Sequence, residues 1–292
     1  MENGVVLEGK IETGDYNRLR SVYGEKRANQ FYIGIPLANE IYLASPGGDL
    51  AEAIKIGRLV RALKLHTVVP GGPYPVGPYE KYSDADRHQL KNPKANYMCT
   101  SACFFIFVAG ITRTAEVDLD PRLGIHRPYL SDSDLSTLSG DQAITSANRV
   151  KTTVENYLKE MNVPGRYIDL MFSVPRDKIR WLEKADVVDL DGTIPELRDW
   201  LAARCDKRTD VEKAVWEKIT ADPRPIGQLS TAERSIFDKM LKKMSEMHSC
   251  ERDALDKLSG SAWLQVFDPT CAAIAPEARS LAEDRSLCPR GN

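Results

Sequence analysis

The chain has 292 residues, 42% apolar and 28% charged, with 40 basic against 42 acidic side chains and a net charge of −2. That length and balance specify a globular protein of one large or two ordinary domains, with no electrostatic reason for a nucleic-acid partner. No apolar run approaches the ~18 residues needed to cross a bilayer. The longest, from Phe104 to Ile111, is strand-sized.

In chain order, Val5 to Ile11 reads as a first strand and Glu40 to Ala44 as a second, the latter cut short by Ser45-Pro46-Gly47-Gly48. Leu50, Ala53, Ile54, Gly57 and Val60 then recur at helical spacing, so an amphipathic helix is predicted from Asp49 to Leu63. Leu65 to Val69 supplies the next strand. Strand, glycine turn, helix and strand in this order form a parallel α/β unit with a right-handed crossover. Pro70 to Pro93 is turn-rich and polar, a long surface excursion. Phe104 to Gly110 is apolar on all sides, and its periodicity fits helix or strand. A short strand within Val117 to Ile125 ends at His126. Asp141 to Met161 is predicted helical, with Ile144, Ala147, Val150, Val154 and Leu158 on its apolar face, and Trp181 to Val188 makes a short helix before a turn.

Beyond about Pro195 the alternation stops. Val211 to Ile219 and Ala254 to Phe267 look helical, and Ser230-Thr231-Ala232-Glu233 is a capping box. It opens a helix carrying a stripe of Ile236, Phe237, Met240, Leu241, Met244 and Met247, read as packed core. The expected division is residues 1–195 and a helical extension, 196–292.

Six cysteines, Cys99, Cys103, Cys205, Cys250, Cys271 and Cys288, allow fifteen pairings that sequence does not choose among. Buried free thiols are the alternative. Met1 to Gly4 has neither a basic start nor an apolar stretch, which reads as a cytosolic protein or one whose export signal has been removed. His66, His88 and His248 lack ligand-spaced neighbours and are expected to face solvent or pair locally.

Three motifs carry chemistry. Tyr97-Met98-Cys99-Thr100-Ser101-Ala102-Cys103 places a small hydroxyl residue where a polar loop meets an apolar element, so its oxygen can reach a cleft while the core grips its backbone. Ser45-Pro46-Gly47-Gly48-Asp49 offers a glycine-rich cradle for an oxyanion, and Gly124-Ile125-His126-Arg127-Pro128 offers a base. Taken singly, a serine before a helix is ordinarily an N-cap.

In this order, with 25 residues from Ser101 to His126, the motifs resemble those of the Clp protease proteolytic subunit and its relatives in the ClpP/crotonase superfamily. The resemblance spans about Val5 to Gly192. It implies an α/β fold with a ClpP/crotonase-like β-α superhelical core and a serine peptidase activity without cofactor. Ser101 would be the nucleophile, His126 the base, and the Gly48 and Ala102 amides the oxyanion donors. Asp177, in Ser173-Val174-Pro175-Arg176-Asp177-Lys178, would orient the imidazole, with Asp169 the alternative. It further implies a peptide or protein substrate and a homo-oligomer. No equivalent of the surface that docks an unfolding ATPase is recognisable, so the activity is expected to be ATP-independent. The match is nearer to envelope-associated ClpP-like proteins, to which the paired Cys99 and Cys103 are suited, and it implies a bacterial periplasmic location with a cytoplasmic one as alternative. Two rivals share the scaffold: a crotonase-type acyl-coenzyme A enzyme, which needs no serine–histidine pair, and a non-catalytic assembly module.

Overall fold

The computed structural model describes residues 5–33, 39–69, 98–115, 122–129, 136–221, 228 and 230–267. Among these, helices and two sheets make a mixed α/β chain. The predicted excursion at Pro70 to Pro93 lies outside the described residues.

The larger sheet is built from β1 (Val5–Glu8), β2 (Glu40–Ala44), β3 (His66–Val69), β5 (Thr112–Ala115) and β8 (Gly192–Thr193), in that order. Its first four strands are parallel, and β8 closes the edge antiparallel to β5. The central parallel strands are covered on both faces: Ile41, Leu43 and Ala44 of β2 and Thr67, Val68 and Val69 of β3 are buried, while β1 at the edge leaves Val6 46% exposed. Helix α2 (Leu50–Ala62) makes the β2-to-β3 crossover and buries Ala53, Ile54, Ile56, Leu59 and Val60. Each of its larger aliphatics contributes about 1.5–3 kcal/mol on burial. Asp49 caps it, its carboxylate accepting the Glu52 N–H at 3.0 Å, a contact that contributes about 1 kcal/mol.

The smaller sheet holds β4 (Met98–Thr100), β6 (Arg122–Ile125) and β7 (Arg180–Trp181), with β6 central. Its first strand is tied to the end of β2. Ser45 donates its N–H to the Met98 carbonyl at 2.7 Å, and Thr100 returns a bond to the Ser45 carbonyl at 3.1 Å. This junction delivers the glycine turn to the start of α3 (Ala102–Phe107). The ambiguous apolar run is thus helical, and every residue of α3 is buried, as expected of a helix apolar all round. Arg61 donates to the carbonyls of Val108, Ala109 and Gly110 just beyond α3, and to that of Met161, just beyond a helix that ends at Glu160. Those carbonyls are the orphans of two helix ends.

Several elements depart from the sequence reading. Helix α1 (Asp15–Ile33) has a mostly polar composition and no wide apolar stripe, so periodicity missed it; Leu19 and Tyr23, one turn apart, anchor it in the core. Helix α4 (Gly140–Glu160) falls where predicted, yet only Val154, Tyr157 and Leu158 are buried while Ile144 is 63% exposed. Helix α5 (Gly165–Ser173) went unrecognised, and Trp181 is in strand β7 rather than in a helix, which begins later as α6 (Lys184–Leu190).

By internal contacts the described chain forms two compact units. One runs to Ile194 and is rejoined from Ser259; the other covers Pro195–Leu258. The second unit holds α7 (Pro195–Cys205), α8 (Asp210–Thr220) and most of α9 (Thr231–Phe267). The predicted capping box is formed: Ser230 donates its N–H to Glu233 Oε2 at 2.8 Å, and Glu233 N–H returns to Ser230 Oγ at 3.3 Å. The two helices expected from Ser230 and from Ala254 are one. Of its methionine stripe only Met240 is buried, with Ile236 and Leu241 exposed. A Cys205–Cys250 disulfide closes a separation of 45 residues, a constraint contributing about 4 kcal/mol by chain entropy. The last turns of α9 join the first unit, where Trp263 Nε1 donates to the Tyr23 carbonyl at 3.2 Å.

Candidate active site

The site begins with the backbone of the glycine turn. Gly47 donates its N–H to Ser45 Oγ at 3.0 Å. Its carbonyl accepts from Ile11, and Asp49 donates to the Ile11 carbonyl, both at 2.9 Å. Gly48 lies between these commitments, and its own N–H donates to no described residue. Only glycine fits both places. A Cβ on Gly47, at φ +97°, would stand 2.6 Å from the Ser101 Cβ, and one on Gly48 would stand 2.1 Å from the Ile11 carbonyl oxygen. The turn is pressed directly against the serine.

Ser101 follows β4 with φ 55° and ψ −121°. A non-glycine residue in this region costs about 1–3 kcal/mol and persists only where its surroundings over-determine it. They do so here. Ser101 donates its N–H to the Gly124 carbonyl at 3.1 Å, and Thr100 Oγ1 donates to the Pro46 carbonyl at 2.9 Å. Although Ser101 occupies the N-cap position of α3, its side chain makes no capping hydrogen bond. The ordinary structural role of such a serine is therefore unused. The Ala102 N–H opens the helix, where first-turn donors have no acceptor within the helix.

A cleft of about 850 Å³ brings the predicted groups together: Ser101, Ala102, Gly48 and His126 all line it, beside Phe105 and Tyr129. His126 follows β6, whose pairing with β4 sets Gly124 beside Thr100. Its Nδ1 lies 3.1 Å from the Arg127 carbonyl oxygen. That contact assigns the ring proton to Nδ1 and leaves Nε2 as the basic nitrogen. The Tyr129 ring lies 5.9 Å from the imidazole, and the Arg176 guanidinium stands 5.5 Å over Tyr129. Burial holds the imidazole below its ordinary pKa of 6.5, with the Arg127 hydrogen bond opposing. It is neutral at pH 7.

Compared with known proteins, the sequence matches no family model and no curated protein.

Asp177 is exposed in the turn closed by the Lys178 N–H on the Pro175 carbonyl at 3.1 Å, and Asp169 is exposed on α5. Neither carboxylate hydrogen-bonds the His126 ring among the described residues; the main-chain oxygen of Arg127 occupies that role. Asp49 stays ionised beside the cradle, held below the usual carboxylate range first by the Glu52 N–H. Of the other histidines, His248 is exposed on α9 and His88 lies outside the described residues. His66 was expected to face solvent or pair locally; it is half-buried, and its Nε2 is buried with no hydrogen-bond partner among the described residues.

Sequence reasoning left the cysteine pairing open. Cys99 and Cys103 are bonded to each other around Ser101, and both are fully buried. Cys271 and Cys288 lie outside the described residues. The signal for the first bridge was the placement of Cys99 and Cys103 two residues either side of Ser101. The contribution of Tyr129 had no comparable signal.

Proposed function

We propose that the protein is a serine hydrolase of the ClpP-like kind, cleaving peptide bonds at Ser101. The observation that carries this reading is the strained, uncapped Ser101 in the same cleft as His126 and the uncommitted Gly48 amide. Backbone strain without a structural use is characteristic of nucleophiles set on a sharp strand-to-helix turn.

In this mechanism His126 Nε2 takes the Ser101 proton as Oγ bonds to the substrate carbonyl carbon. The carbonyl oxygen becomes an oxyanion, received by the N–H groups of Gly48 and Ala102, each such donor contributing about 3–4 kcal/mol to the transition state. The carbon–nitrogen bond then breaks, and the amine leaves with the proton from His126. Water attacks the acyl-enzyme by the same route, releasing the acid and restoring Ser101. The Arg127 carbonyl holds the Nδ1 proton throughout, a role that the resemblance would give to a carboxylate at the place of Asp177.

Two disulfides among the described residues support an oxidising compartment, hence the envelope over the cytosol. Among the described residues no helix is long and apolar enough to cross a membrane. A second reading, a non-catalytic assembly module, is favoured by the lack of a carboxylate hydrogen-bonded to His126 among the described residues. A fluorophosphonate probe separates the two. Labelling of the wild type but not of Ser101→Ala supports the hydrolase, whereas an unlabelled, folded wild type selects the module.

A further inference from the structure

We infer that Cys99 and Cys103 are positioning residues for Ser101, their disulfide acting as a clasp that holds the serine backbone in its left-handed conformation. The pair joins the middle of β4 to the first turn of α3, with a Cα–Cα distance of 5.1 Å and Ser101 midway between. The sulfurs sit in the core, both cysteines being fully buried.

A staple for the whole fold belongs across a long loop, because the chain entropy it removes grows with loop length. Cys205–Cys250, 45 residues apart, fits that description; Cys99–Cys103, four apart, does not. The short bridge restricts only Thr100, Ser101 and Ala102. Of these Ser101 alone has a positive φ. Its hydrogen bond to Gly124 fixes where the residue sits, and the crowding of Gly47 limits where its Cβ can go. The remaining freedom is rotation of the peptide planes on either side of Ser101, which a covalent link from residue 99 to residue 103 removes. That Ser101 needs this placement for attack rests on the hydrolase reading; the conformational coupling itself does not.

The coupling is read by a stability cycle independent of activity. Glycine adopts the Ser101 conformation without penalty, so Ser101→Gly relieves strain only while the clasp enforces it. In urea unfolding, Ser101→Gly lowers the unfolding constant about tenfold more in the intact protein than in Cys99→Ala/Cys103→Ala. Equal factors in the two backgrounds overturn the clasp. Should the double variant not fold, wild type and Ser101→Gly are titrated with dithiothreitol, and Cys99–Cys103 is followed by peptide mass spectrometry. Each bridge reduced gains two S–H groups, while the reagent leaves as its cyclic disulfide. By reciprocity the bridge is about tenfold harder to reduce in Ser101→Gly, and equal reduction again refutes the inference.

The catalytic consequence is a second readout. Cys99→Ala/Cys103→Ala is labelled by fluorophosphonate about 10²-fold more slowly, the loss expected for a nucleophile displaced by about 1 Å. Its kcat on a peptide substrate falls with KM unchanged, while Cys205→Ala/Cys250→Ala labels as wild type. A wild type that shows the stability coupling but no labelling sinks the hydrolase reading and leaves the clasp. A labelled wild type without the coupling does the reverse.

Discussion

Replacing Gly47 with alanine tests whether the glycine turn sets the position of Ser101. Two effects add. At φ +97° an alanine pays a backbone penalty, about 1–2 kcal/mol for a left-handed residue. Its Cβ would also stand 2.6 Å from the Ser101 Cβ and 2.8 Å from the Thr100 carbonyl oxygen, so the serine must retreat by about 0.8 Å to reach even a tight 3.4 Å contact. Crowding of this kind costs about 1–3 kcal/mol. The sum, about 2–5 kcal/mol, is a large part of the ~5–15 kcal/mol that holds a domain folded. Gly9→Ala is the control: its φ is +86°, but no atom lies within 4 Å of the added carbon. Urea unfolding at 25 °C measures both variants, and fluorophosphonate labelling in the absence of urea measures the site. Gly9→Ala loses about 1–2 kcal/mol and labels normally. Gly47→Ala loses clearly more and labels about 10²-fold more slowly. If the two variants are equally destabilised and equally reactive, the close contact between the turn and Ser101 has no energetic meaning.

Asp177→Asn lowers the hydrolysis rate by less than tenfold, because Arg127 rather than Asp177 holds the imidazole; a loss near 10⁴-fold, typical of a true orienting carboxylate, would restore Asp177 to the triad. Acid acts through His126, whose pKa lies below 6.5. Labelling is flat through neutrality and falls with a midpoint below pH 6.5, and a midpoint at or above pH 7 contradicts the burial argument. Stability moves the same way: between the unfolded and folded pKa values the unfolded chain binds more protons, so the contribution is full above pH 6.5 and is lost as pH falls through the folded value.

The parts of the candidate site were legible because each is a local signal. A Pro-Gly-Gly turn after a strand, a serine ahead of an apolar run and a histidine after a strand need no tertiary knowledge to be noticed. The same holds for α2, whose core residues repeat at helical spacing, and for the Ser230 capping box. Helix α1 was not legible: it is anchored by Leu19 and Tyr23 against a surface that sequence does not show. The face of α4 misled for the opposite reason, since Ile144 fits the apolar pattern yet is 63% exposed. The orienting group on His126 was missed because a backbone carbonyl leaves no mark in a sequence.

Ile11 has a bearing on what the cleft can hold. By taking the Gly47 carbonyl and the Asp49 N–H, it spends one edge of the turn and leaves the Gly48 N–H as the turn's uncommitted donor among the described residues. On the hydrolase reading, a visiting peptide finds a single rung of main-chain pairing there, not a ladder. Selection then falls to whatever its side chains meet on Leu50, Phe105 and Val150. Apolar bulk flanking the severed bond should govern turnover more than the length of the chain on either side.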